Sequence, residues 1–100
     1  VAASFQKAVI EVLTQKTIAA AKFKGVTKVA MAGGVSSNSA LRSEMKRLCD
    51  ENGFSLNVPA PVFCTDNAAM IASAGYYEYI KGVRSGLDLN ANPNLKLGER

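Results

Sequence analysis

Two stretches of the sequence set chemically capable side chains among small residues: MAGGVSSNSALR (Met31–Arg42) and CTDNAAMIA (Cys64–Ala72). In the first, an apolar run stops at Gly33-Gly34, and Ser36, Ser37 and Asn38 stand before an amphipathic pattern. A strand that enters a glycine turn and then a helix leaves backbone N–H groups free, and with the helix dipole these attract an anion. Gly33 and Gly34 lack the Cβ atoms that would hold a phosphate or ribose away from the backbone. Ser36, Ser37 and Asn38 serve equally as helix caps or as donors to a ligand. The stretch has neither the Gly-Lys-Ser/Thr of a P-loop nor the three-glycine spacing of a dinucleotide fold. A plain turn and a nucleotide cradle are both open readings.

The second stretch offers Asp66, as a helix N-cap or as a carboxylate at the carboxyl end of a parallel strand, where ligands of such sheets sit. A carboxylate there could bind a metal ion, but one carboxylate is not a metal site. Cys64 is a conceivable soft ligand, and Asn67 a cap or donor. The chain has no histidine, which excludes His-based catalysis or ligation from within it. Both turns follow a strand of a parallel pair, so both are expected to open at one sheet edge into one cleft.

The elements that must position these residues follow from periodicity. Apolar Phe5, Val9, Val12, Leu13, Ala20 and Phe23 recur at helical spacing from Ser4 to about Lys24, and Gly25 stops the run. Thr27–Ala32 reads as a strand buried on both faces. Leu41, Met45 and Leu48 mark one side of a second helix, with Arg42, Glu44, Lys46 and Arg47 on its wet side and Asn52-Gly53 at its end. Phe54–Val58 is a second strand, closed by the stiff Pro59-Ala60-Pro61. Asp66 to about Lys81 is a third helix, whose small-residue half is expected to pack deeply. From Val83 onward the sequence reads as a loosely held tail.

The order helix, strand, helix, strand, helix predicts an α/β fold with a parallel strand pair. Two parallel strands need cover on both faces and along their edges. The chain therefore reads as a piece of a larger α/β domain, or one sealed by self-association. It opens on Val1 rather than Met, which suggests a processing site or an internal boundary. Its 100 residues bound it to one small domain, and 48 % hydrophobic with 20 % charged residues marks globular material. No apolar run approaches a membrane span and no signal peptide is visible. A net charge of +4 suits a polyanion partner or an ordinary solvated surface. Cys49 and Cys64 form no disulfide framework and read as small buried apolar residues in a reducing compartment.

Three separated motifs, AASFQKAV, AGGVSSNSALR and FCTDNAAMIASAGY, together with the tail RSGLDLNANP, carry a resemblance through nearly the whole chain. It resembles the carboxyl-terminal part of the tRNA threonylcarbamoyladenosine transferase family, formerly called O-sialoglycoprotein endopeptidases or glycoproteases. The resemblance implies the actin-like, sugar-kinase-like and Hsp70-like ATPase fold, with residues 1–82 as part of the second lobe and 83–100 as the loosely ordered tail. It implies that Gly33, Gly34 and Asn38 contact an adenylate or ATP. It further implies that Asp66 ligates a divalent metal, iron or zinc, with two histidines from the other lobe. The interval from Asn38 to Asp66 fits the family spacing, while Ala68 stands where the family has Gly.

The implied reaction transfers a threonylcarbamoyl group from threonylcarbamoyl-AMP to N6 of the adenosine 3′ of the anticodon in tRNA. The implied partners are that tRNA, the adenylate and accessory proteins of a tRNA-modification complex. The setting is cytoplasmic, without a membrane. The isolated chain is expected to be inactive, because two metal ligands and half the cleft would be missing. Three rivals stand beside this reading. A protease would need a zinc-and-base set or a nucleophile with a histidine partner, and none is present. A kinase or nucleotide-binding regulator of the same fold would show its catalytic Asp in the other lobe. A silent interaction module would have no use for Asp66.

Overall fold

A computed structural model describes residues 1–96, 98 and 99. The chain divides into two units, Val1–Asn67 and Ala68–Arg100. The first unit holds α1 (Ala2–Lys24), β1 (Lys28–Ala30), a 3-10 turn (Gly34–Ser37), α2 (Ser39–Glu51), β2 (Ser55–Asn57) and a second 3-10 turn (Pro61–Phe63). The second holds α3 (Ala68–Ile80) and, beyond it, turns without helix or strand among the described residues. Positions 97 and 100 of the predicted tail lie outside the described residues.

Helix α1 ends where Gly25 takes the left-handed conformation, at φ 66°. The N–H of Gly25 donates to Lys22 O and that of Val26 to Ala21 O, which uses up carbonyls the helix end would otherwise leave bare. Lys22 and Lys24 in the last turn complement the dipole. The stripe that α1 buries is Thr14, Ile18 and Ala21, with Ile10 packed beside it. This corrects the face predicted from the apolar series. Phe5, Val12, Leu13 and Phe23 are all exposed, because apolar residues surround so much of α1 that their spacing does not select the inward stripe. Buried Thr14 satisfies its hydroxyl by donating to Ile10 O, 2.8 Å away within the same helix.

Strands β1 and β2 pair in parallel, with Lys28 opposite Ser55, Val29 opposite Leu56 and Ala30 opposite Asn57. Helix α2 links them and buries Leu41, Met45 and Cys49, spaced four apart along one stripe. These close a core with Ile18, Ala21, Val29 and Met31. The prediction that the first strand is buried on both faces fails here. Val29 and Met31 point inward, whereas Lys28 and Ala30 are exposed. Both helices of this unit add their buried residues to the side that carries Val29 and Met31, which leaves the other side bare.

The expectation that the third helix packs deeply is also corrected. Helix α3 has no buried residue, and Met70, Ile71, Tyr76, Tyr77, Tyr79 and Ile80 are exposed. Its small residues permit close approach, but they do not by themselves bury a helix.

Candidate functional site

The residues between β1 and α2 build the turn that the paired glycines predict, in the form of a 3-10 segment at Gly34–Ser37. Gly33 lies at φ 89°, ψ 165°, a region that only glycine enters without strain. Its carbonyl then accepts from the Ser36 N–H at 3.0 Å and from the Ser36 hydroxyl at 2.6 Å. Ser36 is buried, and its side chain holds the turn. The amides of Gly34 and Val35 have no hydrogen-bond partner among the described residues. Asn38 caps α2, its Oδ1 accepting from Leu41 N at 2.9 Å, and its Nδ2 donates to Gln6 Oε1 at 3.4 Å.

After β2 the chain runs through Pro59-Ala60-Pro61 into the Cys64–Asn67 loop. Gly34 and this loop are neighbours: a Cβ built on Gly34 would stand 3.7 Å from Thr65 Cγ2. The two stretches singled out in the sequence therefore meet just beyond the carboxyl ends of the paired strands, as expected from a parallel sheet. Asp66 follows Thr65 directly. It is exposed, and its carboxylate makes no hydrogen bond or ion pair with the described residues. Helix α3 begins two positions later, at Ala68, so Asp66 is not the residue that immediately precedes it. Asn67 folds the loop, its Nδ2 donating to Thr65 O at 2.9 Å. Ala68 itself is the first helical residue and is exposed.

Arg42 is the residue that sequence reading misplaced. Assigned to the wet side of α2, it is half-buried and spans the two loops. Its Nε donates to Ser36 O at 2.5 Å, and its Nη2 donates to Pro59 O at 3.2 Å and meets Cys64 Sγ at 3.1 Å. A signal existed: a cation in the first turns of a helix opposes the dipole, so its presence there asks for a specific acceptor.

Cys64 is buried, as Cys49 is, and both thiols are free. The Ser36 hydroxyl lowers the Cys64 thiol below its ordinary range, with Ser37 and the nearby Arg42 guanidinium adding to this and burial opposing it. A guanidinium against the sulfur makes Cys64 a poor seat for a metal cation. Among the described residues no group of three Cys, Asp or Glu side chains could hold a metal ion. At the two turns the donor offered to a cation is the exposed carboxylate of Asp66.

The class defined by these features is an α/β protein whose parallel strands carry a glycine turn and an acidic loop side by side at their carboxyl edge. The chain matches the family model for tRNA N6-adenosine threonylcarbamoyltransferase over residues 1–73, and it belongs to that family. It is 59 % identical over its full length to the tRNA N6-adenosine threonylcarbamoyltransferase of Clostridium botulinum (strain Hall, Type A), covering 29 % of that protein. It is 55 % identical to the protein of that name from Clostridium perfringens (strain 13, Type A), covering 30 % of it. The chain thus spans under a third of the length of these curated relatives.

Proposed function

We propose that this chain is part of an enzyme that transfers the threonylcarbamoyl group from threonylcarbamoyl-AMP to N6 of the adenosine 3′ of the anticodon in tRNA. The observation that carries this is the contact-range approach of Gly34 to Thr65, which sets the glycine turn beside Asp66. In this reading the unpartnered amides of Gly34 and Val35 face the adenylate, and Asn38 offers a polar contact from its amide. Asp66 supplies one ligand to a divalent metal, iron or zinc, and the rest of the enzyme supplies the others. When bound, such a metal would orient and polarise the acyl adenylate.

The fold of this reading is part of the second lobe of an actin-like ATPase, with residues 1–82 in the lobe and the remainder as tail. Two features support a larger lobe: the bare face of β1 at Lys28 and Ala30, and the exposed apolar residues of α3. The +4 charge suits tRNA, and the partners would include the accessory proteins of tRNA modification in the cytoplasm. No helix among the described residues is long and apolar enough to cross a membrane. By itself the chain should lack transfer activity.

The test uses a full-length transferase of the family with this segment in place. Asp66→Ala is expected to abolish formation of the modified adenosine, assayed by mass spectrometry of digested tRNA. Undiminished transfer would remove Asp66 from the site.

A further inference from the structure

We propose that Arg42 is a positioning residue, whose guanidinium locks the glycine turn to the Cys64–Asn67 loop and thereby fixes Gly34 and Asp66 relative to each other. The inference rests on the proposed site and adds to it the part that holds its two halves together.

The contacts divide between the halves. Nε binds Ser36 O in the glycine turn, at 2.5 Å. Nη2 reaches across to Pro59 O at 3.2 Å and Cys64 Sγ at 3.1 Å, at the two ends of the loop that leads to Asp66. Cys64 extends the tie, its thiol lying 3.6 Å from Ala60 O and 3.8 Å from Pro59 O. Neither segment belongs to the strand ladder, which ends near Met31 and Asn57. Among the described residues no backbone hydrogen bond joins the two turns, so the tie between them comes from side chains. Arg42 is suited because its planar fork presents donors in two directions at once. Those bonds offset the cost of placing a cation near the α2 N-terminus. A lysine would carry the same charge on one ammonium and could not serve both loops with that geometry.

Arg42→Met and Arg42→Lys, in a full-length transferase with this segment, test the proposal by amide hydrogen exchange and by calorimetric titration with AMP. For Arg42→Met, exchange is expected to quicken at Ser36–Asn38 and at Phe63 and Cys64 together. Amides of Val29 and Met45 should keep their protection, and the dissociation constant for AMP should rise about tenfold. Arg42→Lys should recover part of both effects.

Unchanged exchange in either loop would overturn the proposal. So would a loss of protection that extends through Val29 and Met45, which is the mark of a merely structural arginine. If both loops loosen and AMP binds as before while Gly34→Ala weakens it, the site stands and Arg42 does not position it. If Gly34→Ala is silent as well, the assignment of the site itself falls, and the positioning role with it.

Discussion

A methyl group placed on Gly34 would rest 3.7 Å from the Thr65 methyl, an ordinary van der Waals distance. The fold thus has room for alanine at Gly34, and the backbone there is not in the left-handed region. Gly33 differs: it has open space for a Cβ, but its φ of 89° penalises any side chain. The adjacent glycines can therefore be separated by experiment. In a full-length transferase, Gly33→Ala should cost about 1–3 kcal/mol of stability, seen as a lower urea midpoint. Gly34→Ala should leave that midpoint within about 0.5 kcal/mol and weaken AMP binding in calorimetry. An unaltered affinity for Gly34→Ala would mean that nothing approaches its backbone.

Asn38 carries two roles that its amide can divide. The Oδ1 cap on Leu41 N is a matter of helix stability, and Asn38→Ala should cost about 1 kcal/mol for its loss. Asn38→Asp keeps the capping oxygen and removes the Nδ2 donor. It should restore the thermal midpoint without restoring adenylate affinity, since a carboxylate also repels a phosphate. Full recovery of affinity in Asn38→Asp would leave Asn38 as a cap alone.

How much of this could be read in advance depends on whether the cause is local. The order of elements was legible because Gly25, Asn52-Gly53 and Pro59 interrupt periodic runs, and interruption is a property of the chain itself. The proximity of the two turns was legible because parallel strands force their carboxyl ends together. The inward stripe of α1 was not, since Phe5, Leu13 and Phe23 are as apolar as Ile18 and only packing chooses between them. Nor was the 3-10 turn at Gly34–Ser37, whose Ser36-to-Gly33 hydrogen bonds are three-residue events without a periodic trace. Arg42 was misplaced because its acceptors at Pro59 and Cys64 are distant in sequence. The cover expected over β1 and α3 was inferred from what such elements require, while Lys28, Ala30 and the apolar residues of α3 stay exposed among the described residues.

Asp66 should be separable from the fold. Its carboxylate is exposed and bonds to nothing described, so Asp66→Ala in a full-length transferase should shift stability by less than about 0.5 kcal/mol. Metal content, measured by plasma emission on the purified protein, should drop together with transfer. Full metal retention would show that other groups complete the site without this carboxylate.

The two cysteines report on different depths of opening. Cys49 is fully buried on α2, and burial, with Asp50 adding, pushes its thiol above the ordinary range. Modification of Cys49 by an aromatic disulfide reagent must therefore wait for α2 to leave the core that includes Met45 and Val29. Cys64 is nearly as covered, at 3 % exposure, but it sits in a loop outside the strand ladder. A loop of that kind opens without unfolding the core, so Cys64 should label first, with peptide mass spectrometry assigning each site. Adding urea well below the midpoint should speed Cys49 labelling steeply and Cys64 labelling weakly, because global unfolding exposes far more surface than loop opening. Equal rates and equal urea slopes at the two sulfurs would mean that the Pro59–Asn67 loop and the α2 core open as one unit. In that case the loop has no independent motion for Arg42 to restrain.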